Sequence, residues 1–457
     1  MNNPASSRLG RVGVGHIALA IPVLAATVAA RGLVRDNSYL WHVRAGTVQI
    51  DSGVVLTTDP FSFTARGRAW RTQSWLMDLL YGWGDRLVGL DLVTPLVFVG
   101  STLLVLTLAL RVYRAVNRPL PAAVGLAWMM WLTIGYFTPR PVLFSLLLLG
   151  VLLLVADEAK LRWAIPLVTW IWSAVHGGFV VGLGYLVLDG FRRRDKRRVA
   201  DVVGGIIAAS LTAHGWGTWQ IVVDFLGNQE ALDLIVEWLT PNFISLPLFP
   251  FALGVVAILI SAIRGRILVS DLWVIIPFLL FAFSANRSVP LAAIVLAPFL
   301  VTGLRTWRLA GAQATRTQSR LNVALVSALV LVPWLVPVNG GLDTELFAID
   351  ALAHVGPGRF FHDDAVGGFL IYSEWPARHV FIDDRAELYG SVFIDYVKTR
   401  GGTPVWEEVF ERFDLRQALL NINDPLREIL LANGWKQVYQ DLKFSVLVAP
   451  EDGPEAT

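Results

Sequence analysis

The stretch that decides the fold class is "LVTPLVFVGSTLLVLTLALRV", residues 92–112, in which Arg111 is the single charged residue. Its length matches the ~20 consecutive apolar residues that a helix needs to cross the hydrocarbon core of a bilayer. Similar apolar windows lie at 12–33, 120–137, 141–156, 162–176, 178–191, 199–213, 248–263, 268–285, 289–303 and 321–338. The sequence therefore predicts a mainly α protein, a polytopic transmembrane helical bundle of about eleven spans.

The composition agrees with a membrane protein. Of the 457 residues, 55% are hydrophobic and only 16% are charged, whereas soluble domains carry about a quarter charged residues. The 18 tryptophans fit the same class, because indole is favoured at the lipid–water boundary. The chain has no cysteine, which excludes disulfides, thiolate metal sites, cysteine nucleophiles and cysteine acylation.

Basic residues precede the first predicted span and occupy every second connection between the spans after it. Cytoplasmic loops accumulate Lys and Arg. They are Arg8, Arg11, Arg111, Arg114, Arg118, Lys160, Arg162, the run 192–198, Arg264, Arg266 and the basic residues of 305–320. This regularity predicts a multi-pass plasma-membrane protein with a cytoplasmic N-terminus and an extracytoplasmic C-terminal domain. The first apolar run is predicted to be an uncleaved span rather than a signal peptide.

Two domains are predicted. The first, 1–339, is the multispan domain, with outer loops at 34–90 and 214–247. The second, 340–457, is a small soluble α/β domain, because β-rich runs ("HVFID", "QALLNI", "FSVLVA") alternate with helical ones (391–400, 404–413, 424–433). Two short helices are expected in the first outer loop, at 39–50 and 72–86.

The segment "VRDNSYLWHVRAG", residues 34–46, places ionisable groups just after the first span. Asp36 there has two interpretations: an N-cap of the helix that follows, or a general base at the membrane surface. Asp59, in "TTDPFSF", either initiates a turn before proline or shares acid–base work with Asp36. His42 and Trp70 are candidates for substrate binding, against a packing role at the interface.

Further charged candidates lie at the predicted outer ends of the spans. Arg140 ("FTPRP"), His176 ("VHGG") and Arg287 ("SANRS") come from different hairpins at the same predicted depth, and Glu237 is an outer-face acid. Arginine offers a charge-assisted fork to phosphate oxygens, so a shared phosphate site is one interpretation. Snorkelling of the arginines to lipid headgroups is the other.

The tail contains four aspartates, in "FFHDDAVGGFLIY" (360–372) and "VFIDDRAELYG" (380–390). Asp363, Asp364, Asp383 and Asp384 are interpreted as residues of turns before strands, with a metal site as the alternative. No glycine-rich phosphate loop, GxSxG, HExxH or dinucleotide fingerprint is present. We predict no metal, no cofactor and no nucleic-acid partner.

The order of several short pieces resembles the GT-C class of membrane glycosyltransferases, and in particular a bacterial membrane-protein group allied to it. The pieces are "DNSYLWHVRAG", "DPFSFTARGRAW", "WLMDLLY", "RPVLFSLLLL", "WIWSAVHGGFVVGL", "VEWLTPNF", "GGFLIY" and "VFIDDRAELYG". The resemblance runs from about residue 30 to 448. Such proteins often carry an acid where this chain has Ser74, and the Trp-Trp-Asp signature of oligosaccharyltransferases is absent.

The resemblance implies an inverting transfer from a polyprenyl-phosphate sugar donor to a hydroxyl acceptor on a glycan, lipid or protein. Asp36 would deprotonate the acceptor, and some of Arg140, His176 and Arg287 would hold the leaving phosphate. Two other functions stay open. A transporter would need polar residues near mid-bilayer, whereas the candidates cluster at the outer face. A non-catalytic scaffold for envelope assembly is the third possibility.

Overall fold

The computed structural model describes residues 12–30, 35–227, 233–305, 316–335, 343 and 346–450. The basic residues Arg8 and Arg11 and the segment 306–315, which entered the topology prediction, lie outside the described residues. The chain divides into two compact units. The bundle unit comprises Met1–Gly32, Asp91–Gly215 and Glu237–Gly340, and the loop–tail unit comprises Leu33–Leu90, Trp216–Val236 and Gly341–Thr457.

A helix lies at each of the eleven apolar windows, which confirms the mainly α class. Numbered along the whole chain, the helices of the bundle unit are α1 (Val14–Ala29), α4 (Val93–Val116), α5 (Pro119–Thr133), α6 (Pro141–Asp157), α7 (Ile165–Val175), α8 (Phe179–Arg193), α9 (Arg197–Ser210), α11 (Phe249–Ile263), α12 (Leu272–Ser284), α13 (Ser288–Gly303) and α14 (Arg316–Leu335). Among the described residues, two helical stretches are long and apolar enough to cross a membrane, Trp75–Val116 and Gln318–Leu335. Several other apolar helices are shorter than a full span, so the eleven-span count stays a prediction.

Helix α13 forms the centre of the bundle unit. It packs against α4, α5, α11 and α12, and it is buried along nearly its whole length. Its alanines Ala292, Ala293 and Ala297 are fully buried. Their small side chains let neighbouring helix backbones approach closely.

The basic run 192–198 has a structural role beyond topology. Asp189 is fully buried and contacts the guanidinium groups of Arg192 at 2.6 Å, Arg193 at 2.9 Å and Arg198 at 2.7 Å. A buried carboxylate has to be paired to offset its lost hydration. Part of the positive charge of the run 192–198, which predicts a cytoplasmic loop, therefore neutralises Asp189 of α8.

The loop–tail unit combines helices with one sheet. Its helices are α2 (Ser38–Ser52), α3 (Trp75–Val88), α10 (Gly217–Gly227), α15 (Ile349–Leu352), α16 (Asp364–Glu374), α17 (Ala386–Tyr389), α18 (Ser391–Arg400), α19 (Val405–Phe413) and α20 (Pro425–Ala432). Its strands are β1 (Phe361–His362), β2 (Gln417–Asn421), β3 (Lys436–Gln440) and β4 (Phe444–Val448), in the order β1-β2-β4-β3. β1 pairs with β2 in parallel, with Phe361 opposite Ala418, and the other pairs are antiparallel. The helices expected in the loop and tail, and the strands at "QALLNI" and "FSVLVA", are confirmed.

Two predictions about the tail are wrong. The run "HVFID" is not a strand, because its backbone groups form hydrogen bonds with the first outer loop. Val380 N donates to Phe61 O at 3.1 Å, and Phe63 N donates to Val380 O at 3.0 Å. The segment 360–372 is not a turn before a strand but the short strand β1 followed by helix α16. Asp363 caps that helix by accepting from Ala365 N at 3.2 Å.

The first outer loop and the tail share one hydrophobic core. Trp41, Phe61 and Trp70 of the loop lie in the same buried cluster as Ile382 and Leu419 of the tail. The loop 34–90 is predicted to belong to the multispan domain, and the tail to a separate domain. In the structure these segments are parts of one compact unit.

Candidate active site

The candidate site is built on the crossing of α2 and α3. A Cβ atom added at Gly46 would lie 1.8 Å from Asp78 O, and one added at Gly82 would lie 2.6 Å from Gly46 C. Only glycine permits so close an approach of two backbones. The helix pair therefore depends on these two residues, and the contact brings side chains on neighbouring turns together.

His42 and Asp78 form a buried hydrogen bond at this crossing. His42 lies one turn before Gly46 and Asp78 one turn before Gly82, and Nδ1 of His42 is 2.5 Å from Oδ1 of Asp78. Thr72 Oγ1 donates to Asp78 Oδ2 at 2.5 Å, and the aspartate is fully buried. A carboxylate on Nδ1 fixes the ring and its tautomer, leaving Nε2 as the hydrogen-bond acceptor.

The ring of His42 is enclosed by aromatic side chains but keeps Nε2 open. Trp41 stacks on it with a centroid distance of 3.6 Å, and Tyr81 meets it edge-on at 6.2 Å. No described residue hydrogen-bonds Nε2, and this nitrogen is not closed off from solvent. The arrangement offers a substrate hydroxyl one oriented acceptor.

Asp36 lies at the amino end of α2, where it is half-buried. Its Oδ1 accepts from Ser38 N at 3.0 Å, a cap-like contact at the helix start. Burial raises the pKa of Tyr81 well above its usual range, and the charges of Tyr39, Asp78 and Asp36 raise it further. Asp36 thus lies at the amino end of the helix that carries His42, six positions before it in the chain.

Neighbours of Asp36 fasten the start of α2 to the tail. Asn37 Nδ2 donates to Asp364 O at 3.2 Å, and Phe369 N donates to Asn37 Oδ1 at 2.7 Å. Ser38 Oγ donates to Asp384 Oδ2. A Cβ added at Gly368 would lie 2.3 Å from Asn37 O, which explains why "GGFLIY" carries glycine at that position.

Asp59 and Trp70 are held around a buried arginine of the tail. Asp59 accepts from Ser62 N at 3.0 Å, a turn contact, and its Oδ1 lies 3.0 Å from Arg385 Nη1. The guanidinium of Arg385 lies 4.4 Å from the ring centroid of Trp70. Burial acts to raise the pKa of Asp383, but the charge and hydrogen bonds of Arg385 outweigh it, so this pKa is lowered. The geometry gives Asp59 and Trp70 places in the core.

The remaining predicted residues lie in the bundle unit. Arg140 Nη1 is 3.5 Å from Glu237 Oε1, Arg287 N donates to Glu237 O at 3.0 Å, and the Arg287 guanidinium lies 4.6 Å from the ring of Trp238. The structure thus brings Arg140, Glu237 and Arg287 together. His176 Nδ1 accepts from Gly178 N at 3.0 Å, so this ring orders the turn between α7 and α8.

No protein-family model and no curated protein matches this chain. Within the described part of the chain, no three His, Asp or Glu side chains are placed to hold a metal ion.

Sequence reasoning missed Asp78 and Thr72 as site residues. The aspartate of "WLMDLLY" was quoted only as part of a motif. A usable signal was present, because His42 and Asp78 each precede a helical glycine by four residues. Residues four positions apart lie on one helix face, one turn apart, so each polar side chain lies one turn from the glycine of its helix.

Proposed function

We propose that this chain is a multi-pass membrane glycosyltransferase that transfers a sugar from a polyprenyl-phosphate donor to a hydroxyl acceptor at the outer face of the plasma membrane. The single observation that carries the proposal is that a half-buried carboxylate, Asp36, stands at the amino end of the helix that carries His42, an imidazole oriented by its hydrogen bond to Asp78. Acid–base groups held by a supporting hydrogen bond are what transfer to a hydroxyl requires.

In the proposed reaction the acceptor oxygen attacks the anomeric carbon as the bond from that carbon to the phosphate oxygen breaks. The configuration inverts, and polyprenyl phosphate leaves with the bonding electrons. Asp36 takes the proton of the acceptor hydroxyl, while His42 Nε2 accepts a hydrogen bond that orients a substrate hydroxyl. Asp78 acts through His42 and is a positioning residue.

In the bundle unit, Arg140 and Arg287 are the candidates for binding the leaving phosphate that the resemblance implies. Arg140 and Arg287 gather at Glu237, and fixed guanidinium groups stabilise the charge that develops on a leaving phosphate. The cytoplasmic N-terminus and the extracytoplasmic tail belong to the same proposal. They are supported by the alternation of basic connections with the apolar helices.

The test is transfer from radiolabelled polyprenyl-phosphate sugars in membranes, comparing wild type with Asp36→Asn at matched expression. Asp51→Asn is the control, because Asp51 is an exposed carboxylate at the other end of α2. We expect the Asp36 variant to lose on the order of 10²-fold or more in rate and the control to keep wild-type activity. Equal rates for all three proteins would reduce Asp36 to a helix cap.

A scaffold for envelope assembly is the second candidate, and one observation favours it. Motif pieces such as "DNS" and "GGFLIY" make contacts that hold the loop–tail unit together. Those contacts would be needed in a protein without activity too. Absence of transfer by wild type from every common polyprenyl-phosphate sugar would select the scaffold.

A further inference from the structure

Two consecutive aspartates at the amino end of α16 share one phenol. The hydroxyl oxygen of Tyr396 lies 2.9 Å from Asp363 Oδ1 and 2.8 Å from Asp364 Oδ1, and it also accepts from Asp364 N at 3.0 Å. A tyrosine hydroxyl has one hydrogen to donate. That hydrogen satisfies one carboxylate, so a proton on one of the two carboxyl groups would satisfy the second short contact; Ala365 N donates to both aspartates, and Arg400 Nη1 lies 3.5 Å from the phenol oxygen.

Positive charge around the pair is scarce. Arg400 lies 2.8 Å from Asp363 and 3.7 Å from Asp364, and its Nε also donates to Asp424 at 3.2 Å. One guanidinium therefore faces three carboxyl groups. Carboxylates that share a site resist simultaneous ionisation, which again favours a retained proton.

Among the described residues, the other titratable groups beside the pair are neutral or already paired. His362 precedes the pair, accepts from Phe381 N at 2.9 Å through Nε2, and has its pKa lowered to about 4 because it is buried. Its ring is neutral at neutral pH. Asp383 is paired with Arg385, and Asp384 accepts from Ser38.

Because Arg400 lies closer to Asp363 than to Asp364, we expect the proton on Asp364. Burial, followed by the hydrogen bond and charge of Asp363, raises the pKa of Asp364 to about 7. Burial also acts to raise the pKa of Asp363, but the hydrogen bond to Asp364 and the charge of Arg400 outweigh it and lower that pKa. The two acids are thus separated into one that is ionised and one that titrates near neutral pH.

The same turn of α16 holds the start of α2. Asn37 donates to the carbonyl of Asp364 and accepts from Phe369 N. Asn37 immediately follows Asp36, the acid of the candidate site. Repulsion between two ionised carboxylates at Asp363 and Asp364 would act directly on this contact.

We propose that Asp363 and Asp364 form a proton switch that fastens the amino end of α16 to Asn37 when one proton is present and loosens it when that proton is lost. The switch goes beyond the proposed function and does not depend on it, because it concerns only the order of the DNS segment and α16. If transfer is confirmed, the switch makes the mobility of the segment around Asp36 depend on the external pH.

The sign of the effect follows from proton linkage. An acid with a raised pKa in the folded state stabilises that state most at pH values below its ordinary pKa, and this stabilisation is lost as the pH rises through the folded value, about 7 for Asp364. Asp363 and His362, whose pKa values are lowered, have the opposite sign. Comparing wild type with Asp364→Asn at each pH cancels their contributions and leaves that of Asp364.

The experiment is hydrogen–deuterium exchange of the full chain in detergent micelles at pH values from 5.5 to 8. Wild type, Asp364→Asn and the control Asp395→Asn are compared at equal pH over peptides that cover residues 36–44 and 364–372. Asp395 is the residue before Tyr396 on α18, but its carboxylate pairs with Arg412 rather than with the aspartate pair. From pH 5.5 to pH 7 we expect exchange in wild type and control to rise relative to Asp364→Asn by on the order of tenfold, because the open state is already ionised while the folded state still keeps its proton. Above the folded pKa of about 7 both states are ionised, so the difference should stay constant up to pH 8.

Identical pH profiles for wild type and Asp364→Asn would overturn the proposal. Should Asp364→Asn fail to fold, Tyr396→Phe gives an independent test, since it removes the shared hydroxyl and keeps both carboxyl groups. We then expect fast exchange to begin at a pH that differs measurably from the pH at which it begins in wild type. An unchanged onset in Tyr396→Phe would also overturn the proposal.

Discussion

Replacing Gly46 with alanine should disrupt the candidate site through the backbone. The new Cβ would lie 1.8 Å from Asp78 O, whereas ordinary contact begins at 3.4 Å, so the helices have to separate by about 1.6 Å. The hydrogen bond of 2.5 Å between His42 and Asp78 cannot survive a separation of that size. The substitution therefore affects both the packing and the fully buried carboxylate.

The magnitude combines three effects. Overpacking costs about 1–3 kcal/mol, and a buried charge that loses its partner costs about 3–5 kcal/mol. Alanine gains about 1 kcal/mol over glycine in a helix. The free energy of unfolding of the loop–tail unit should fall by at least about 3 kcal/mol, which lowers the midpoint of thermal unfolding by about 6–12 °C for a unit of this size.

The assay is thermal unfolding in detergent followed by tryptophan fluorescence, with hydrogen exchange over α2 and α3 to localise the change. Gly184→Ala is the matched control, because Gly184 lies inside α8 and an added Cβ meets nothing within 4 Å. The control should be neutral or stabilised by up to about 1 kcal/mol. Equal midpoints for Gly46→Ala and wild type would refute the argument that glycine sets this helix crossing.

Two further variants test other parts of the chain. Arg385→Met leaves the buried carboxylates of Asp59 and Asp383 unpaired, so we expect a loss of about 3–5 kcal/mol in unfolding free energy. The control Arg412→Met breaks an exposed pair and should cost at most about 1 kcal/mol. Equal losses for the two variants would contradict the role of Arg385 as the buried partner of both carboxylates. Arg140→Gln breaks an exposed contact and should change stability by less than about 1 kcal/mol, while the KM for the donor rises about tenfold or more through a lost charge-assisted hydrogen bond. The control Arg114→Gln, on the predicted cytoplasmic side, breaks an exposed pair with Glu158, and a KM increase as large as that of Arg140→Gln would argue against a phosphate role.

The loop–tail unit shows how structure and proposed chemistry depend on the same residues. Asp36 belongs to the candidate site, yet Asn37 and Ser38 beside it bind α16 and Asp384. Arg385 ties the first outer loop to the tail through Asp59 and Asp383. The position of the proposed base is therefore set by residues more than 300 positions away in the sequence.

The sequence by itself determined the helices, because apolar length and capping residues act over short range. It located the eleven described helices of the bundle unit, the helix pair of the first outer loop, and three helices and two strands of the tail, but not α15, α16 or α17. It also located Asp36. Each of these features depends on residues within a few turns of one another.

Only the tertiary structure decided what the polar residues do. Asp78 and His42 are 36 positions apart, and the crossing at Gly46 and Gly82 brings them to 2.5 Å. The run "HVFID" has strand propensity but gives its backbone hydrogen bonds to the first outer loop. A buried charge is stable only beside its partner, and for Asp59 and Asp78 no local pattern states which residue that partner will be.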